Sequence, residues 1–247
     1  MTVLRGARER ARAEVTAAIK EEARRQLAEQ GAAKLSLRAV ARELGMVSSA
    51  LYRYFPSRDD LLTALIIEAY DALGAAAEEA LRSAGRTAPA VLRWSAVCRA
   101  VRGWAVAHPH EYALIYGSPV PGYSAPQATV GPASRVGLVL AGIVGDARAD
   151  GVLREPDGAP ALPPAVRGDM DRLTALLGTD LPAGTAAGLI TAWAGLFGLI
   201  SFEIFGQFHR MVDARDAFFA SAVAQLAAGA GLSGPGTGTV PGDRAGS

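Results

Sequence analysis

The residues that redox and metal chemistry draw on are scarce in this chain. Its 247 residues include one cysteine, Cys98, and three histidines. A single cysteine excludes an intramolecular disulfide framework and suits a reducing compartment. No H-E-x-x-H pair, nucleophile elbow, phosphate-binding glycine loop or cysteine pair is present. His108, His110 and Glu111 are the one cluster a metal-dependent enzyme would use. Their spacing straddles Pro109 and fits no helical ligand pair, so a capping or pocket-lining histidine is the expected reading. No catalytic residue, metal or cofactor is therefore expected. The Arg-rich N-terminus has no apolar run behind it, so a signal peptide is not expected and a cytoplasmic location is. Half of the residues are hydrophobic and a fifth charged, which excludes a disordered chain and leaves enough apolar material for a sizeable core.

Net charge is only +1, but the two signs are segregated. Residues 1–58 hold 12 Lys/Arg against 6 Asp/Glu, whereas the remaining 189 hold 13 against 18. A basic segment ahead of an acidic remainder implies that the first part meets phosphate and the second does not. Within the basic segment, Leu37, Val40, Ala41 and Leu44 fall at i, i+3, i+4 and i+7, the apolar face of an amphipathic helix. Ser36 is placed to cap that helix, where its hydroxyl and the first free N–H groups also suit a phosphate. Gly45 is placed to end it in a left-handed turn. A second short helix is expected from about Val47 to Tyr54, with Ala50, Leu51 and Tyr54 facing inward. Pro56 closes it, and Ser57 with Asp59 and Asp60 opens a longer one. Two helices joined by a glycine turn form the helix-turn-helix pattern, whose second helix enters the major groove of DNA.

The stretches AVARELG, ALYRYF and PSRDDLL resemble the DNA-binding domain of the tetracycline-repressor (TetR) family across roughly the first quarter of the chain. The segment HPHEYALIYGSPVPGY is similar to the C-terminal domain of a family branch marked by Trp, His and Gly. The resemblance implies a three-helix bundle with a helix-turn-helix, followed by a larger helical domain for ligand binding and dimerisation. It also implies a connecting helix that couples ligand occupancy to the reader. Residue by residue, it implies that Arg38 reaches a base edge, and that Ser48, Ser49 and Ala50 form the leading turn in the groove. Tyr52 and Tyr54 would touch the DNA backbone, and Arg58 would clamp a phosphate. Val47 departs from the family pattern, which carries a polar residue such as serine there, so one phosphate contact is in doubt.

The rest of the chain reads as helix interrupted by Gly/Pro loops. Residues 1–12 are expected to form a basic arm ahead of a helix from about Ala11 to Glu29. Its Val15, Ile19, Ala23 and Leu27 recur at i+4. Further helices are expected near 57–82, 89–107, 132–149 and 167–177. The aromatic set Trp94, Trp104, Tyr112, Tyr116, Trp193 and Phe197, with His108, is the candidate lining of a cavity for an unidentified small molecule. Leu181 to Phe202 carries no charge over 22 residues, long enough for a membrane span. Its glycines, Pro182 and lack of a basic flank favour instead a buried helix at a subunit interface. With a helix at about 214–228, one near 182–208 would build a four-helix bundle across a twofold axis. The expected domains are 1–56, 57–232 and a low-complexity tail at 233–247. The expected molecule is an all-α homodimer, without a membrane span, that occupies a near-palindromic DNA operator. Repression is the expected sign of regulation and activation the alternative.

Overall fold

The computed structural model of the chain describes residues 2–154 and 161–232. Among them are ten α-helices and no strand: α1 (Thr2–Gln30), α2 (Leu37–Glu43), α3 (Ser48–Leu51), α4 (Arg58–Ala84), α5 (Ala90–Ala107), α6 (Pro109–Tyr116), α7 (Val130–Ala149), α8 (Pro164–Leu176), α9 (Ala183–Ile204) and α10 (Arg215–Gly229). The class is all-α, as the periodicity predicts. Residues 233–247, expected as a tail, lie outside the described residues, as does part of the Pro-rich connection after α7. The basic arm is not an arm: helix begins at Thr2, eight or nine residues earlier than expected. Its Arg, Ala and Glu content explains this, since these are strong helix formers, and Gly6 alone does not stop the run.

Two compact units divide the chain, one of Met1–Ala75 with Gly103–Arg135 and the other of Ala76–Arg102 with Val136–Ser247. In the first, Ile19, Ala23 and Leu27 of α1 meet Leu37, Val40 and Ala41 of α2, Leu51 of α3, and Leu61, Leu62 and Leu65 of α4 in one buried cluster. This is the i+4 stripe of α1 closing on the apolar face of α2. Leu114 of α6 and Val120 and Tyr123 of the following loop also pack on that cluster. Tyr123 shares a 2.9 Å hydrogen bond with Thr63, and Tyr70 donates to the Ile115 carbonyl at 3.3 Å. The bundle of α1, α2 and α3 alone buries little, and these additions enlarge its core.

In the second unit, Trp94, Val97, Cys98 and Val101 of α5 are fully buried, as are Leu140, Ile143 and Val144 of α7 and Leu196 and Ile200 of α9. The glycines of α9 do permit a close helix approach, and the helix that approaches is α10 of the same chain. A Cβ at Gly188 would collide with the Gly229 carbonyl oxygen, and one at Gly195 would crowd Leu226. The face of α10 buried within the chain is Phe219, Val223 and Ala227. Phe218 is left exposed, edge-on to Phe208 at 5.5 Å.

Burial pushes the Cys98 thiol up to about 12. The folded chain therefore keeps this proton to higher pH than the unfolded chain, whose thiol titrates near about 8.5. The contribution to stability is present below that value and is lost as pH rises toward 12. Native protein at pH 8 is expected to leave a thiol-disulfide reagent unreacted, with one equivalent consumed on adding denaturant. Stoichiometric labelling before unfolding would contradict this burial.

Candidate nucleic-acid interface

The geometry of the reader follows from three local devices. At its entry, Ser36 sits in extended backbone and its Oγ accepts the Ala39 N–H at 3.4 Å, capping α2. At the corner, Gly45 adopts φ 62°, Gly45 N–H donates to the Arg42 carbonyl, and Met46 N–H donates to the Ala41 carbonyl at 2.8 Å. That pair of bonds is the Schellman ending, which needs a residue without Cβ at the left-handed position. At the exit, Ser57 Oγ accepts the Asp60 N–H at 3.1 Å, capping α4, and donates to the Asp60 carboxylate at 2.7 Å. The expected recognition helix ran to Tyr54. Regular α-helix spans only Ser48–Leu51, and turn hydrogen bonds carry the chain on to Phe55.

These devices leave one outward surface. Arg38, in the first turn of α2, is exposed and forms no ion pair among the described residues. Ser48 and Ser49 are exposed, and Ala50 is half-buried. Val47 caps α3 without a side-chain bond and is 69% exposed, an apolar group where a hydroxyl would have served the helix. Tyr52 is 43% exposed, whereas Tyr54 is half-buried beneath the Arg12 guanidinium, 5.0 Å from its ring. Arg12 also donates to the Arg53 carbonyl at 3.2 Å, binding α1 to the end of the reader. Nothing local in the sequence marks this contact, since its partners are about forty residues apart. Arg53 is exposed beside Tyr52 and is absent from the expected set, although its charge next to a matched tyrosine was a usable signal.

Arg58, the residue expected to clamp a phosphate, is engaged within the protein. Its Nε donates to the Leu35 carbonyl at 3.1 Å, and its Nη2 donates to those of Ala32 at 2.8 Å and Ala33 at 3.3 Å. Its Nη1 stands 3.7 Å from the Asp59 carboxylate. The side chain straps the turn before α2 to the start of α4.

The aromatic residues expected around a ligand fall in both units. In the first, Trp104 stacks on His108 at 5.0 Å, Tyr112 stacks on Tyr116 at 5.2 Å, and Tyr116 meets Tyr70 edge-on. Burial, then the neighbouring Tyr70 and Tyr112, raises the Tyr116 phenol above its ordinary value. His108 precedes α6, with its Nδ1 2.9 Å from the Trp104 carbonyl. Trp94, Trp193 and Phe197 belong to the second unit, where Trp193 and Phe197 pack edge-on at 5.7 Å. The indole N–H groups of Trp94 and Trp193 are buried without an acceptor among the described residues. His108, His110 and Glu111 do not assemble as a metal site: Glu111 turns to Arg24 at 3.6 Å. No group of three or more His, Cys, Asp or Glu side chains gathers among the described residues.

A helical reader with one uncommitted polar and basic face defines a DNA-binding protein, and similarity to known proteins agrees. Residues 19–65 match the family described as "Bacterial regulatory proteins, tetR family", and residues 94–226 match "Tetracyclin repressor-like, C-terminal domain". The HTH-type transcriptional regulator Rv1816 of Mycobacterium tuberculosis is 43% identical over 208 residues, covering 82% of this chain and 86% of the relative. Among solved structures, regulatory protein SCO4313 is 33% identical with a TM-score of 0.71, covering 88% of this chain and 97% of that one. The TetR-family regulator PfmR from Thermus thermophilus shares the fold at 18% identity, with a TM-score of 0.56 and coverage of 84% and 96%. The chain belongs to the TetR family of transcriptional regulators. It is a transcription regulator with an N-terminal DNA-binding domain, and the family is not one of enzymes.

Proposed function

We propose that this chain is a homodimeric, cytoplasmic repressor that occupies a near-palindromic operator and leaves it when a small molecule binds its larger helical part. The observation that carries the reading is the outward surface of α2 and α3. Arg38, Ser48, Ser49 and Tyr52 are exposed there on a turn held by the Schellman bonds at Gly45. Arg38 suits guanine O6 and N7, while the serines permit close approach and a hydroxyl contact. Ser36 offers a helix N-terminus to a phosphate, and Tyr54 with Ala50 supports the groove-facing turn from behind. Val47 has only apolar contact to offer, which suits a thymine methyl. Arg58 acts by holding the turn before α2 in place. One reader makes too few contacts for specificity, so two are required, with half-sites separated by about 34–36 Å or a multiple of one helical turn.

The release half rests on the family's C-terminal domain and on the buried indoles of Trp94 and Trp193, whose unpaired N–H groups favour an apolar ligand bearing an acceptor. The regulator would dissociate because the ligand favours a reader spacing that no longer matches the operator.

Selection of purified protein on randomised duplex DNA tests the reading. The expected result is a palindrome whose recovery depends on Arg38. Arg38→Ala is expected to cost about 1–3 kcal/mol of discrimination at one base pair in each half-site while bulk binding persists. Binding without any enriched sequence would overturn the operator-specific reading.

A further inference from the structure

The charge on α1 is distributed in a way that helix formation alone does not require. Over its later turns every basic side chain is engaged by carboxylates. Lys20 pairs with Glu68, Arg24 with Glu21 and Glu68, and Arg25 with Glu22 and Glu29. Over its first turns the opposite holds. Arg8 and Arg10 are exposed and form no ion pair among the described residues, and Arg12 contacts only a backbone carbonyl and a tyrosine ring. Glu9 and Glu14 are the acids interspersed there, too few to neutralise this end.

Position gives that charge a direction. Arg12 is fastened to Arg53 and Tyr54, at the end of the reader opposite to Val47 and Ser48. From Arg12 back to Thr2 the helix continues for ten residues, or about 15 Å at 1.5 Å per residue. That length is about four phosphate spacings, at about 3.4 Å of duplex axis per phosphate on one strand. The exposed Arg53 lies where the extension joins, so the free cations continue past α3.

We propose that the first turns of α1 form a rigid phosphate rail, with Arg8, one turn before Arg12 and on the same face of the helix, binding the DNA backbone outside the base pairs that α3 reads. This rests on the operator-binding reading above. The rail adds affinity and lengthens the footprint without adding base preference, because phosphates carry no sequence information. Being helical and anchored by Arg12, it contributes without the ordering cost that a flexible arm would incur.

Salt-dependent binding tests it on two duplexes that share the selected palindrome, one trimmed to the bases read and one extended by about half a turn on each side. For Arg8→Ala, the slope of log K against log salt on the extended duplex is expected to fall by about 2 per dimer, at about 0.9 for each phosphate lost. On the trimmed duplex the variant and the parent should agree, and the selected sequence should be unchanged. Alanine favours helix at exposed positions, so folding is not at stake. Arg25→Ala, from the ion-paired end, should leave the slope as it was. Equal slopes for parent and Arg8→Ala on the extended duplex would overturn the rail while leaving the operator intact. Failure to select any palindrome would overturn the reading beneath it, and the rail with it.

Discussion

Replacing Arg102 with alanine is expected to destabilise the protein by about 3–5 kcal/mol, the range for removing one partner of a buried ion pair. The melting point should fall by roughly 10 °C for a chain of this size. Arg102 near the end of α5 places Nε and Nη2 on the two carboxylate oxygens of Glu203 in α9, at 2.6 and 2.7 Å. Its side chain is 17% exposed and that of Glu203 12%, so alanine would strand a carboxylate away from water. The guanidinium also lies 4.9 Å from the Phe219 ring of α10, so one side chain fastens three helices. Its third contact, Asp216, is 92% exposed, and Asp216→Ala should change stability by less than about 1 kcal/mol. The double substitution Arg102→Met/Glu203→Leu is expected to recover most of the loss, since apolar groups of similar volume need no charge partner. Thermal denaturation at one fixed protein concentration reads all four proteins, because any association would otherwise shift the midpoint. An Arg102→Ala protein that melts with the parent would show that the pair does not hold α5 against α9.

What was legible in the sequence was what local chemistry decides. Gly45 announced a left-handed helix ending, and Ser36 and Ser57 announced caps, because each device is completed within five residues. Leu37, Val40 and Ala41 announced a buried face by spacing alone, and the TetR likeness followed from the same stretch. Contacts made at long separation were not legible. Arg58 looked like an unengaged cation from its neighbours, yet its partners are carbonyls 23 to 26 residues earlier. Arg12 looked like part of a tail because nothing nearby names Tyr54 as its seat. Helix rotation was the other hidden quantity. In α2, charged residues mark the outside, but α10 carries no charge from Ala217 to its end at Gly229, so its pattern does not say whether Phe218 or Phe219 faces in. Packing against the glycines of α9 decides it, in favour of Phe219.

The same absence of charge supports the second large effect, at the proposed dimer interface. Once α10 has filled the grooves at Gly188 and Gly195, α9 keeps another face. Ala187, Ile190, Thr191, Ala194, Gly198 and Phe202 follow one another at helical spacing and are exposed or half-exposed. The Thr191 hydroxyl is satisfied by the Ala187 carbonyl at 2.9 Å, so this face presents no unmet polar group. On α10, Ala217, Phe218, Ser221 and Ala228 are likewise exposed and uncharged. Two such helices from each of two subunits would bury small residues at close approach, the arrangement of a four-helix bundle on a twofold axis. Such an axis counts every substitution twice. Ala194→Arg is therefore expected to yield a monomer in sedimentation at micromolar concentration, because two guanidinium groups would have to be buried without partners. Helicity should be unchanged, since Ala194 is exposed within one chain. Operator affinity should fall about a thousandfold or more, toward the non-specific level, as a lone reader has one half-site to hold. Ser221→Arg on α10 should act in the same way. Dimers that persist in both variants with full operator affinity would assign the pairing of readers to another surface.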